Sequence, residues 1–147
     1  MEWIDEIIMG LIDMYGTNDI YEIYDCLDIR IVKLDKNNIT LRNNDAFYYR
    51  NYLGNEIVFI RNDLLPPFEK FILAHELGHA LLHTRVLTAA FNKDLINVGK
   101  LERQANYFAL KLENIMFDEV ELREMTLEQI ASSLELPYKP LKQLVNM

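Results

Sequence analysis

Between Phe68 and about Thr84 the sequence predicts a helix that is apolar on more than one side. Phe71, Ile72, His75, Gly78, His79 and Leu82 line one side, and Leu73, Leu77, Ala80 and Leu81 line another. A helix that is apolar nearly all round has to lie between layers of other structure. Pro66 and Pro67 stand just before it, where proline stops a sheet and suits a helix start.

The flanking segments can supply those layers. Trp3, Ile4, Ile7, Ile8, Leu11, Ile12 and Tyr15 recur at helical spacing with acids between them, which predicts an amphipathic helix ended by Gly16. Thr17 is placed to cap a second helix whose buried face is Ile20, Ile23, Tyr24 and Leu27. Ile29 to Leu34 is rich in β-branched residues and predicts a strand, followed by a turn over Asp35 to Asn38. Ala46 to Tyr52 and Glu56 to Ile60 read as two strands joined around Leu53-Gly54-Asn55, a hairpin signal. Arg85 to Gly99 looks irregular, with Gly99 as a hinge or start signal before a helix from Leu101 to about Glu113. Asp118 to Met125 suggests a short helix. Thr126 and Gln129 fit a capping box that opens a last helical unit, interrupted by Pro137. With no repeat or long linker in its 147 residues, the chain reads as a single domain over 1-147.

Charge and targeting signals narrow the function classes. The net charge is -8, and of the 23 acids eight fall before Arg30, where there is no Lys or Arg. The remaining acids equal the 15 bases. The acidic stretch reads first as a solvated helix face. Its sharper reading is a docking surface for a basic partner such as a DNA-binding protein, whereas free DNA would be repelled. The N-terminus carries Glu2, Asp5 and Glu6, not the basic start of a secretory signal, and no apolar run is long enough to cross a bilayer. Cys26 is the one cysteine, so no internal disulfide can form, and a cytoplasmic location is expected.

His75-Glu76-Leu77-Gly78-His79 carries the chemistry. Residues four apart on a helix share a face one turn apart, so the two imidazoles can converge on one metal ion. Glu76 is adjacent to the first ligand. Zinc makes a coordinated water acidic near neutral pH, and a carboxylate at that position can take its proton. The bland alternative is a pair of satisfied core histidines beside a surface glutamate. Gly78 costs about 1 kcal/mol relative to Ala inside a helix, which the close approach of a strand or neighbouring helix would explain.

A catalytic zinc site needs a third protein ligand and an open position. His83 lies eight residues beyond His75, about 12 Å along the axis, so one straight helix cannot bring all three histidines to one ion. It reads instead as a residue behind the ligands, a substrate-side group or a charge partner for the helix C-terminus. Glu102 on the following helix is a candidate ligand, in competition with Glu113, Glu119 and Glu121. Asn106 follows Glu102 by one turn, where it can orient a ligand.

From Tyr15-Gly16-Thr17-Asn18 to about Ala109 the chain resembles the ImmA/IrrE family of zinc metallopeptidases. The likeness rests on Gly54, the strand Ile57-Val58-Phe59-Ile60, Asn62 and Leu64-Leu65. It continues through Phe71-Ile72-Leu73-Ala74-His75-Glu76-Leu77-Gly78-His79-Ala80-Leu81-Leu82-His83 and closes on Glu102-Arg103-Gln104-Ala105-Asn106-Tyr107-Phe108-Ala109. The last two motifs together are specific. The resemblance implies zinc held by His75, His79 and Glu102, with Glu76 as general base. It implies a cytoplasmic endopeptidase of phages, mobile elements or stress responses that cuts a helix-turn-helix repressor. It also implies a zincin-like α+β fold, a small antiparallel-rich sheet on the motif helix with flanking N- and C-terminal helices. Many relatives follow the second motif with two leucines, a methionine and a proline; here Leu110 to Met116 contains no proline.

Other readings compete. The unit over 126-147 also resembles a helix-turn-helix, which suggests a DNA-binding regulator. Its recognition helix offers only Lys139 and Lys142, with no arginine to grip a guanine, so direct nucleic acid binding is not expected. A zinc-binding adaptor or anti-repressor that binds the repressor without cutting it is a further class, and a hydrolase of free peptides is another. Tyr48, Tyr49, Tyr52, Tyr107, His83 and Arg103 are unranked candidates for an oxyanion donor.

Overall fold

The computed structural model describes residues 1–83 and 98–114, with Gln129 and Ser132, both helical. The expected short helix over Asp118 to Met125 lies outside the described residues. So does the 126-147 unit apart from those two positions.

The chain opens with helix α1, Glu2–Tyr15, which buries Ile4, Ile8 and Leu11. Trp3 does not join that face and is 45% exposed. Gly16 ends the helix in the left-handed region at φ 67°, and its N–H bonds to Ile12 O. Helix α2, Ile20–Cys26, is capped by Asp19 rather than Thr17: the Asp19 carboxylate accepts from Tyr21 N and Glu22 N. The Thr17 hydroxyl lies two residues earlier and accepts from Asp19 N. A carboxylate at the helix start also suits the macrodipole better than a hydroxyl does.

Strands β1 (Ile29–Leu34), β2 (Ala46–Arg50) and β3 (Glu56–Arg61) form one sheet in the order β1-β3-β2. A short 3-10 turn, Ile39–Leu41, follows β1 in the chain, packs against β2 and β3 and buries Leu41. β2 and β3 make the expected hairpin, closed by bonds between Asn51, Gly54 and Asn55. β1 runs parallel to β3, from Ile29↔Glu56 to Leu34↔Arg61. The sheet is therefore mixed, with one parallel and one antiparallel ladder, and is not antiparallel-rich. The cause is the apolar character of β3. Val58 and Ile60 are fully buried, and Ile57 and Phe59 are partly covered on the other face. A strand covered on both faces belongs in the centre, while Arg30, Lys33, Tyr49 and Arg50 are tolerated on the edges.

Helix α3, Pro66–Leu82, begins with prolines in its first turn and carries the histidines. It packs against α2, against β2 and β3, and against helix α4, Val98–Leu112. Phe71, Leu73, Ala74 and Leu77 are almost fully buried. Each buried Phe or Leu contributes about 1.5–3 kcal/mol. The Tyr24 hydroxyl donates to Leu73 O at 2.6 Å, which fixes α2 against the middle of α3. Gly99 stands in the first turn of α4, in keeping with its reading as a start signal; the segment expected to be irregular before it, 85–97, lies outside the described residues. In place of a proline exit, α4 ends through Asn114 in the left-handed region at φ 53°, its N–H bonded to Lys111 O. No helix among the described residues is long and apolar enough to cross a membrane.

Candidate metal centre

His75 and His79 project from one face of α3, as four-residue spacing requires. Their rings stand nearly perpendicular, with centroids 4.7 Å apart, and the two Nε2 atoms are 3.1 Å apart. Helix α4 brings Glu102 to the same point. Its Oε2 is 3.2 Å from His75 Nε2, and its Oε1 is 2.8 Å from His79 Nε2. Among the described residues this is the group of three whose donor atoms could hold a metal ion, all within 4.8 Å of one another.

The donor set fits zinc. Two imidazole nitrogens and a carboxylate oxygen are a common catalytic combination. Ligands about 2.1 Å from a tetrahedral ion stand about 3.4 Å from one another, and the observed separations are close to that and slightly tighter. The Glu102 side chain is 38% exposed, against 12% and 14% for His75 and His79. Glu102 is thus the most solvent-accessible of the three candidate ligands.

Glycine makes this meeting of helices possible. A Cβ on Gly78 would stand 3.2 Å from Ala105 Cα and 3.3 Å from Phe108 Cβ. The close approach is to the neighbouring helix, and it sets Glu102 within reach of both histidines.

The charges are mutually adjusted. Burial pushes the Glu102 carboxyl up, but the His75 and His79 imidazoles outweigh it and hold Glu102 well below the usual carboxylate range. Burial pushes His75 down, but Glu102, Glu76 and Asn106 together hold it above its usual value. Glu76 lies next to His75, and burial raises its carboxyl above the ordinary range despite the nearby imidazoles. Burial pushes the His83 imidazole down.

The rings are also held from behind. His75 Nδ1 is 2.6 Å from Asn106 Oδ1. His83, at the end of α3, is not among the three converging residues; its Nδ1 is 3.0 Å from His79 Nδ1. Glu113 lies just past the end of α4, eleven residues from Glu102 and outside the cluster, and Glu119 and Glu121 are outside the described residues. Of the oxyanion candidates, the Tyr107 hydroxyl donates to the Asp5 carboxylate and the Tyr48 hydroxyl to Glu56. Sequence reasoning did not single out Gln104, whose Oε1 is 2.9 Å from His83 Nε2. The available signal was an amide four residues before Phe108 on the buried side of α4.

Comparison with known proteins agrees with this geometry. The profile of the IrrE N-terminal-like domain, peptidase M78, matches residues 24–145. Metallopeptidase ImmA of Bacillus subtilis (strain 168) is 32% identical over 135 residues, covering 88% of this chain and 76% of that protein. The uncharacterized immunity region protein 2 of Bacillus phage phi105 is 29% identical over 127 residues, covering 84% of this chain and 77% of its own. No solved structure matches the chain. The chain belongs to the peptidase M78 family of IrrE N-terminal-like domains and is a homologue of metallopeptidase ImmA.

Proposed function

We propose that the protein is a zinc-dependent endopeptidase of zincin-like fold that cuts a helix-turn-helix repressor. The observation that carries this reading is the convergence of His75, His79 and Glu102 on one point, with Glu76 beside His75 on the same helix. In this reading those three residues hold the ion and leave one position open. Bound zinc supplies Lewis acidity to the scissile carbonyl and to water. Glu76 takes the proton of the attacking water and delivers it to the leaving amine nitrogen. Asn106 holds the His75 ring in place through the 2.6 Å contact.

The substrate class is supported by likeness and by charge. The resemblance implies a helix-turn-helix repressor, and one relative is named for the immunity region of a phage. Repressors present basic surfaces, and the stretch before Arg30 holds eight acids and no base.

The test is cleavage of a co-expressed helix-turn-helix repressor, encoded beside this gene, by wild type and Glu76→Gln. Wild type is expected to cut, and the variant to keep its zinc and not cut. If both keep zinc and bind the repressor while neither cuts it, the protein acts by binding and the peptidase reading is wrong.

A further inference from the structure

The third histidine, His83, is the most deeply buried, at 2% exposure. A buried imidazole needs a partner for each ring nitrogen. His83 has both: His79 Nδ1 at 3.0 Å from its Nδ1, and Gln104 Oε1 at 2.9 Å from its Nε2. Gln104 is itself only 8% exposed.

The two contacts run in series, and each needs one proton between its atoms. An amide oxygen only accepts, so the proton facing Gln104 sits on His83 Nε2. A neutral imidazole carries one N–H. His83 Nδ1 therefore bears a lone pair and accepts from the Nδ1–H of His79. That leaves the lone pair of His79 on Nε2, the atom 2.8 Å from Glu102 Oε1 and 3.1 Å from His75 Nε2. The opposite polarity would put a proton on His79 Nε2 and close it to a metal ion.

We propose that His83 and Gln104 are positioning residues, a buried two-step relay that holds His79 in its Nδ1–H tautomer and presents Nε2 for metal binding. The inference rests on the reading of His75, His79 and Glu102 as the metal ligands. Asn106 meets His75 Nδ1 directly with its own amide oxygen. One helix, α4, thus supplies a ligand, the amide that meets His75 and, through His83 at the end of α3, the amide that fixes His79.

The test uses the full chain, 15N-labelled and loaded with zinc. Long-range nitrogen–proton NMR correlations read which ring nitrogen carries the proton. His83 is expected with its proton on Nε2, and His79 with its proton on Nδ1. His83 protonated on Nδ1, or on both nitrogens, overturns the relay without any substitution being made. Competition with a chelator then reads zinc affinity. His83→Phe is expected to lose about 10–100-fold. His83→Asn, whose amide oxygen can accept the His79 N–H, is expected to recover most of that loss. Equal losses in both variants indicate packing rather than hydrogen bonding and overturn the relay. Unchanged affinity in His83→Phe and Gln104→Leu overturns the relay and leaves the metal site standing. A wild type that takes up no zinc overturns the metal site, and the relay with it.

Discussion

Ala105 Cα lies 3.2 Å from where a Cβ on Gly78 would stand, so the two helices meet backbone to backbone beside the candidate ligands. Gly78→Ala gains about 1 kcal/mol in helix propensity. Against this, forcing a methyl group into a packed interface costs about 1–3 kcal/mol, and the obstacle here includes backbone that cannot rotate away. The variant is expected to be less stable by about 1 kcal/mol in urea unfolding, and to bind zinc more weakly because Glu102 is pushed from His75 and His79. A variant both more stable than wild type and equal in zinc affinity would show that the helices need no close contact.

Asn106 is 1% exposed and meets His75 Nδ1. Asn106→Ala leaves that N–H in a buried place without its acceptor. Zinc affinity is expected to fall about 10–100-fold, with Asn106→Asp retaining more of it than the alanine variant. Chelator competition distinguishes them, and an alanine variant as tight as wild type would refute the orienting role.

Removal of zinc tests the coupling of the site to folding. A metal that binds only the folded chain adds about 4 kcal/mol when present at 1,000 times its dissociation constant. Chelation of wild type is expected to lower the melting temperature, and His79→Ala is expected to show no such difference. The same drop in both proteins would mean that the chelator acts elsewhere.

Tyr21 offers a pH test away from the metal centre. Its hydroxyl donates to the buried Glu69, which also pairs with Lys33 at 3.0 Å. Burial first, then the bond to Glu69 and its charge, push the Tyr21 hydroxyl up from 10.0 to about 12. A group whose value rises on folding stabilises fully below its unfolded value, and that contribution is lost as the pH climbs through the folded value. Tyr21→Phe is expected to be less stable than wild type by about 1 kcal/mol at pH 7. The gap is expected to narrow between pH 10 and 12. A gap that stays constant over that range would contradict the coupling of Tyr21 to Glu69.

Helix α3, which carries the candidate histidines, and the N-terminal helix α1 were legible because their signals are local. Pro66 and Pro67 mark the start of α3, its apolar residues mark its burial, and Gly16 marks the end of α1. The position of Asp19 as cap in place of Thr17 was a choice between residues two apart that spacing alone does not make. The parallel pairing of β1 with β3 was not legible, since strand order depends on which strand both faces of the core cover. The approach of Glu102 to the histidines joins residues 27 and 23 apart in the chain, and periodicity carries no such information. The Gln104–His83 contact was hidden for the same reason.

The most direct measurement is the zinc content of the purified full chain, prepared without chelators, for wild type, Glu76→Gln, His79→Ala and Glu102→Gln. Wild type and Glu76→Gln are expected to carry one zinc ion per chain, His79→Ala almost none, and Glu102→Gln much less than wild type. A wild type without zinc after zinc is supplied, or a His79→Ala that holds as much as wild type, would contradict the metal centre.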